Sequence, residues 1–122
     1  MKKKVLIVDD NSSILDLETK LLQLLGYEPV SAASGMTALK LLAQEKPDLA
    51  LLDITLPDMD GFKICQHIKN RPATADIPVF LVSAKKTAED TERADKAGAD
   101  EYINKPFKTE EIARLLEKHL GG

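Results

Sequence analysis

The fold of this chain is decided first by residues 47–53, which read PDLALLD, four consecutive apolar residues that end in an aspartate. Three other apolar segments close in the same way, on polar residues: 5–10 (VLIVDD), 79–84 (VFLVSA) and 102–106 (YINKP). Short continuous apolar runs are typical of parallel strands that are covered on both faces. In one parallel sheet their polar ends would meet at a single edge, where open α/β sheets bind ligands.

Longer amphipathic segments separate these runs, and the alternation predicts βα units around a parallel sheet. Five strands are expected near residues 4–8, 28–32, 48–52, 78–82 and 100–103. Five helices are expected near residues 12–25, 35–45, 61–70, 87–97 and 109–120. The predicted fold class is α/β, with one domain over residues 1–122.

Helix ends are predicted from capping residues. Ser12 or Ser13 is expected to cap the first helix and Thr109 the fifth, while Gly26 ends the first. The first helix carries four apolar residues at helical spacing: Ile14, Leu17, Leu21 and Leu24.

The fourth predicted helix differs from the others because its only apolar residues are Ala88, Ala94 and Ala97. Alanines bury little area per turn, so this helix is expected to be held weakly. An ordinary surface helix and a helix that moves when the site changes state both fit this pattern.

Composition excludes several classes of protein. The hydrophobic share of 43% is enough for an ordinary core, and the net charge of -3 argues against a nucleic-acid-binding module. No apolar stretch is long enough to span a membrane, and no secretory signal is recognised. The single cysteine, Cys65, cannot form an internal disulfide, which favours a reducing cytoplasm. Its place among Phe62, Ile64 and Ile68 predicts a core residue rather than a nucleophile.

Three aspartates follow predicted strands, and each can be interpreted in two ways. Asp9, Asp10 and Asp53 could cap helices or form turns. A single carboxylate would be enough to cap a helix, so the adjacent pair Asp9 and Asp10 favours a Mg²⁺ site instead. A carboxylate such as Asp53 can also act as a nucleophile and form an aspartyl phosphate. A bound cation would offset the repulsion among the three charges.

Ser83 and Lys105 also stand at predicted strand ends. Each could be an ordinary turn or surface residue. Beside Asp53, however, the Ser83 hydroxyl could donate to a phosphoryl oxygen, and the Lys105 ammonium is a compact charge suited to phosphate. Neither GxxxxGK[ST] nor GxGxxG follows a strand. His67 and His119 are expected to be ordinary surface histidines.

Taken together, these motifs resemble the receiver domain of two-component response regulators over essentially the whole chain. The resemblance implies a flavodoxin-like, three-layer (βα)5 fold with the parallel sheet in the order 2-1-3-4-5. The matching segments are 5–10 (VLIVDD), 47–53 (PDLALLD), 56–61 (LPDMDG), 83–84 (SA), 98–99 (GA) and 105–107 (KPF).

The resemblance also assigns roles to residues. It implies that Asp53 is the phosphoacceptor and that Ser83 and Lys105 bind phosphoryl oxygens. Tyr102 would be the switch aromatic, acting with Ser83, and the Lys105–Pro106 bond would be cis. The expected ligands of Mg²⁺, with Mn²⁺ as an alternative, are Asp9 through water, Asp10, Asp53 and the backbone carbonyl of Thr55.

The implied function is a phosphorylation switch rather than an enzyme. A histidine kinase or phosphotransfer protein would phosphorylate Asp53, with Lys85 affecting hydrolysis of the product. The face formed by helix four, strand five and helix five would then change to control a partner or an effector domain outside this sequence, with a phosphorylation-dependent dimer as one outcome. No direct binding to nucleic acid or membrane is expected.

Three rival functions are weighed against this one. A phosphatase of the haloacid dehalogenase type also uses a strand-end aspartate and Mg²⁺, but it needs a second aspartate where this chain has Thr55. An FMN-binding flavodoxin needs a phosphate loop where Asp9 and Asp10 stand, and aromatic residues around the ring. An interaction module that works without phosphorylation would not need the acidic residues.

Overall fold

The computed structural model describes residues 2–85 and 87–121 as five parallel strands that alternate with five helices. The sheet order is β2-β1-β3-β4-β5, so the predicted topology is confirmed. The strands are β1 (Lys4–Val8), β2 (Glu28–Ala32), β3 (Leu49–Asp53), β4 (Val79–Ser83) and β5 (Glu101–Asn104). The helices are α1 (Ser12–Leu24), α2 (Gly35–Glu45), α3 (Gly61–Lys69), α4 (Ala88–Ala97) and α5 (Thr109–Leu120).

The central strands are apolar on both faces because helices cover both sides of the sheet. In β3, Ala50 and Leu52 pack against α2, α3 and α4, whereas Leu49 and Leu51 pack against α1 and α5. Side chains alternate between the two faces along a strand, so a continuous apolar run serves two cores at once. Each large aliphatic residue buried in this way stabilises the fold by about 1.5–3 kcal/mol.

Strands β3, β4 and β5 each begin and end one residue later than the sequence predicts. Asp53 and Ser83 are therefore the last residues of their strands, paired in register with Val82 and Asn104 of the neighbouring strands. The sheet thus fixes the backbone of both residues, which a position in a loop would not do.

Two predicted caps are wrong. Asn11, and neither Ser12 nor Ser13, caps α1, because its side chain accepts a hydrogen bond from the Ile14 N–H. Helix α5 begins at Thr109 with Lys108 at the cap position, and no side chain caps it. The C-terminal end of α1 is as predicted: the helix stops at Leu24, and Gly26 follows with a φ of 93°.

The remaining expectations about packing are partly confirmed. Helix α4 buries only Ala94 and Ala97, as predicted, and Cys65 is fully buried in the core. The apolar stripe of α1, in contrast, does not all face the core, since Leu17 is 68% exposed and Leu24 is 85% exposed. No helix in the described part of the chain is long and apolar enough to cross a membrane.

Candidate functional site

Three carboxylates meet at the carboxyl edge of the sheet. Asp9 and Asp10 follow β1, Asp53 ends the adjacent β3, and one oxygen of each lies within 4.8 Å of the others. Asp9 is only 2% exposed, so its charge is shielded from water and has to be compensated locally. The donor set consists entirely of carboxylate oxygens, which suits a hard divalent cation such as Mg²⁺.

Hydrogen bonds orient the two inner carboxylates of this cluster. The backbone N–H of Asn11 donates to Asp9 Oδ1 over 2.9 Å, and that of Thr55 donates to Asp53 Oδ1 over 3.0 Å. In both residues the other oxygen, Oδ2, faces Lys105. The rotamers of Asp9 and Asp53 are therefore held by contacts on both oxygens.

Lys105 places a positive charge against two of the three carboxylates. Its Nζ donates to Asp9 Oδ2 and, over 3.0 Å, to Asp53 Oδ2. Burial disfavours the charged amine, but the hydrogen bonds to the two carboxylates outweigh burial, and the pKa of Lys105 is raised. The backbone holds this lysine in place, since its N–H donates to the Ser83 carbonyl and the expected cis bond to Pro106 is present.

Ser83 is buried at the end of β4, one strand away from Asp53. Its hydroxyl donates to the Lys85 carbonyl over 3.0 Å and accepts from the Lys85 N–H over 3.1 Å. The hydroxyl is therefore engaged with its own turn rather than hydrogen-bonded to Asp53. The structure brings Ser83 to the correct edge of the sheet without joining it to the acidic cluster.

The loop that contains Thr55 is pinned at both of its ends. Thr55 forms an isolated antiparallel bridge with Asp60, and the Gly61 N–H donates to the Ile54 carbonyl over 3.0 Å. A Cβ at Gly61 would lie 2.4 Å from the Asp53 carbonyl oxygen, so only glycine allows α3 to start this close to β3.

A second anchor of the same loop could not be read from the sequence. The carboxylate of Asp58 accepts from the Gly35 N–H over 2.8 Å and from the Met36 N–H over 2.9 Å, and so binds the N-terminus of α2. These backbone hydrogen bonds lower the pKa of Asp58. Because Asp58 and Gly35 lie 23 positions apart, no local pattern signals the contact.

Tyr102 lies on β5, half-buried against the core under α3 and α4. Its ring meets the Phe62 ring at an interplanar angle of 73°, with the centroids 6.5 Å apart. Burial raises the pKa of the Tyr102 phenol, and the side chain of Ser83 acts in the opposite direction. The aromatic side chain is therefore packed inward, close to the strand end that carries Ser83.

Helix α4 contacts this region through Arg93. Its guanidinium donates to Asp60 Oδ2 over 2.8 Å and lies 4.2 Å from the centroid of the Phe62 ring. Asp60 also caps α3 through the Phe62 N–H, at 2.7 Å. One side chain of α4 thus touches both the end of the Thr55 loop and the aromatic neighbour of Tyr102.

Glu18 is the residue that the sequence interpretation missed. It is only 6% exposed on α1, and the pKa of its carboxyl is raised to about 7, first by burial and then by the charge of Asp9. A signal was available, because Glu18 stands three residues after Leu15 and four before Leu22, the spacing of a buried helix face. Glu18 lines a cavity of about 440 Å³ next to the site, together with Ile14, Leu17, Leu21, Ala84, Lys105, Pro106 and Phe107.

His119 is not the ordinary surface histidine that was expected. Its Nε2 lies 2.9 Å from Glu101 Oε2, and its ring meets that of Phe80 edge-on with the centroids 5.1 Å apart. Burial would raise the pKa of Glu101, but the hydrogen bonds from His119 and Lys118 outweigh it and lower that pKa. This cluster joins the start of β5 to the end of α5, at the opposite end of β5 from Lys105.

The chain matches a known family along most of its length. The model of the response regulator receiver domain matches residues 5–117. The DNA-binding dual master transcriptional regulator RpaA of Synechocystis is 39% identical over 109 residues, which cover 89% of this chain and 45% of that protein. The chain spans less than half the length of the curated relatives that it matches.

Solved structures give the same result. A CheY-like receiver domain protein from Methanospirillum hungatei is 34% identical, with a TM-score of 0.91 over 99% of this chain and 95% of that chain. The receiver domain of a sensor histidine kinase from Pseudomonas aeruginosa has a magnesium ion coordinated in its active site cleft. It is 28% identical, with a TM-score of 0.90 over 100% of both chains. The chain therefore belongs to the response regulator receiver domains, the signalling domains of two-component systems, and has their flavodoxin-like fold.

Proposed function

We propose that this chain is a phosphorylatable receiver whose Asp53 accepts a phosphoryl group from a phosphohistidine. The observation that carries the proposal is the geometry of the Asp53 carboxylate. Oδ1 accepts from the Thr55 N–H and Oδ2 from Lys105, so the carboxylate is held in one orientation at the edge of the sheet. A nucleophile held in one orientation has lost its rotational freedom before the reaction begins.

The reaction that follows is a displacement at phosphorus. One Asp53 oxygen forms the new bond to phosphorus while the bond to the imidazole nitrogen of the donor breaks, and the imidazole leaves. Lys105 is already within 3.0 Å of Asp53 Oδ2 and can follow the charge that develops on the equatorial oxygens. Ser83 would exchange its hydrogen bond to the Lys85 carbonyl for one to a phosphoryl oxygen.

A divalent cation fits the residues that are present. Asp10, Asp53 and the Thr55 carbonyl would bind Mg²⁺ directly, Asp9 would bind it through water, and Mn²⁺ is an alternative. The fit rests on the three clustered carboxylates, which Lys105 alone does not neutralise. When bound, the cation would supply charge stabilisation to the transferring group and offset part of the repulsion among the three carboxylates.

A histidine kinase or a phosphotransfer protein is the proposed donor, and α1 offers a surface for it. Leu17 is 68% exposed and lines the cavity beside Lys105. Exposed apolar residues that lie together mark interaction sites more often than isolated ones do. A partner that covers this surface would bring its phosphohistidine to the mouth of the site.

The face formed by α4, β5 and α5 is the proposed surface that changes on phosphorylation and contacts the downstream partner. Movement of Ser83 towards a phosphoryl group would change the space beside Tyr102. Among its described residues, α4 buries only Ala94 and Ala97, and its polar contacts with α3 and the preceding loop include those of Arg93 and of the Ala97 carbonyl. Phosphorylation would then shift a two-state equilibrium in this face, towards a partner protein, an effector domain or a dimer. The domain acts as a cytoplasmic switch and not as an enzyme with an external substrate.

Intact-mass spectrometry after incubation with Mg²⁺ and acetyl phosphate tests this proposal, with a phosphohistidine protein as the second donor. One phosphoryl adduct is expected, absent in EDTA and absent from Asp53→Asn. Asp76→Asn serves as the matched control, because Asp76 is an exposed carboxylate outside the site. An adduct on Asp53→Asn, or none from either donor, would contradict the proposal.

A further inference from the structure

A second cavity lies at the edge of the sheet opposite the acidic cluster. Its volume is about 580 Å³, and it is formed between α2, α3 and the segment that leads into β4. Leu39, Leu42 and Ile77 give it an apolar floor. Small-molecule sites are usually concave, apolar volumes of about 300–1,000 Å³ with a few convergent polar groups, and this cavity has that form.

The polar groups that line this α2–α3 cavity are largely basic. Lys46, His67 and Arg71 contribute to its wall, and no carboxylate does so among the described lining residues. None of these three side chains forms a hydrogen bond or an ion pair with any residue in 2–85 or 87–121. Other basic residues are paired, such as Lys69 with Asp100 and Arg93 with Asp60.

Lys46 provides an independent observation. It is the only non-glycine residue with a positive φ in the described chain, at 48°, where it ends α2. Glycine is the residue that adopts this left-handed conformation without strain. A long cationic side chain therefore lines the cavity at a position where the local backbone would favour glycine.

From these features we infer that the α2–α3 cavity binds a small amphiphilic anion, which has an apolar body and one carboxylate or phosphate head. The body would lie on Leu39, Leu42 and Ile77, and the head would meet Arg71, His67 and Lys46. A guanidinium can donate two parallel hydrogen bonds to a carboxylate or phosphate, and the imidazole donates in either protonation state. The site lies at the amino ends of β3 and β4, whereas Asp53 lies at the carboxyl end of β3.

The probe is decanoate, used below the concentration at which it forms micelles. Its neutral match is decanol, used below its solubility limit. Binding is followed through backbone amide chemical shifts of the full chain. Decanoate is expected to bind saturably, with shifts centred on residues 39–47 and 67–77, and decanol about tenfold more weakly, since hydrogen bonds between charged groups are the stronger class. Shifts centred instead on α1 and residues 105–107, or equal affinities of the two probes, would overturn the inference.

Two variants separate binding from folding. Arg71→Gln combined with His67→Gln is expected to weaken decanoate about tenfold and leave decanol unchanged, whereas Lys20→Gln, an exposed lysine on the opposite face, changes neither. Lys46→Gly should weaken decanoate while the melting temperature stays equal or rises, because glycine relieves the positive φ. Unchanged decanoate affinity in both variants would show that the basic residues do not form the site.

Discussion

The buried carboxyl of Glu18 allows a quantitative prediction. Its pKa rises from 4.5 to about 7 on folding, mainly because burial disfavours the charge and secondarily because Asp9 repels it. One pKa unit corresponds to about 1.36 kcal/mol, so this shift corresponds to about 3 kcal/mol. When Glu18 is ionised in the folded state, the free energy of unfolding is lower by that amount. Glu18→Gln keeps the shape of the side chain and removes the titration.

The direction of the effect follows from proton binding. Between pH 4.5 and about 7 the folded state holds a proton on Glu18 that the unfolded state has lost, so stability falls as pH rises through this window. Below the window the carboxyl is neutral in both states, and above it the full penalty applies. The variant should therefore gain stability relative to the parent by about 3 kcal/mol on going from about pH 4.5 to about pH 8.

Urea unfolding across this pH range, in EDTA, measures the difference. Asp16→Asn is the matched control, because Asp16 is an exposed carboxylate on the same helix. The difference in free energy of unfolding between this variant and the parent should be the same at every pH. Saturating Mg²⁺ should shrink the pH-dependent gain, since a cation beside Asp9 reduces the second cause of the shift. A constant difference between Glu18→Gln and the parent at every pH would refute the reasoning.

Three further predictions concern the metal site, α4 and the turn after Ser83. Mg²⁺ should raise the melting temperature progressively, by an amount equivalent to about 2.7 kcal/mol at one hundred times its dissociation constant, and Asp10→Asn should weaken this rise. Arg93→Ala should lower the free energy of unfolding in urea by about 1 kcal/mol, because it removes the ion pair with Asp60 and the contact with the Phe62 ring. Lys96→Ala, at an exposed position of the same helix, should change that free energy by no more than about 0.5 kcal/mol. Lys85→Ala should change the rate at which the phosphorylated chain loses its phosphoryl group, followed by intact mass, and an unchanged rate would remove Lys85 from the mechanism.

The fold could be predicted because its signals are local and repeated. The three central strands β1, β3 and β4 are short apolar runs, most of the helices between them show an apolar periodicity, and parallel connectivity follows from the alternation. The sequence also predicted that Asp9, Asp53 and Lys105 lie at one edge, because the carboxyl ends of parallel strands meet there, and the structure places them in contact. The predicted strand ends are within one residue of those in the structure. This one-residue difference is why Asp53 and Ser83 belong to the sheet and not to the loops that follow it.

Other features depend on contacts between segments that are distant in sequence. Asp58 binds the start of α2 across 23 positions, and His119 meets Glu101 across 18, so neither partner is visible locally. The apolar pattern of α1 identified Leu17 as a hydrophobic position without distinguishing the core from an exposed face. Periodicity reports which residues share a helix face, and only the tertiary structure decides what covers it.

The central claim, that Asp53 is the phosphoacceptor, is tested most directly by trapping the product chemically. After incubation with Mg²⁺ and acetyl phosphate, borohydride reduces an aspartyl phosphate to homoserine, which tandem mass spectrometry assigns to one position. The account predicts homoserine at position 53 alone, lost when Mg²⁺ is replaced by EDTA. Homoserine at position 9 or 10, or at 53 regardless of Mg²⁺, would contradict it.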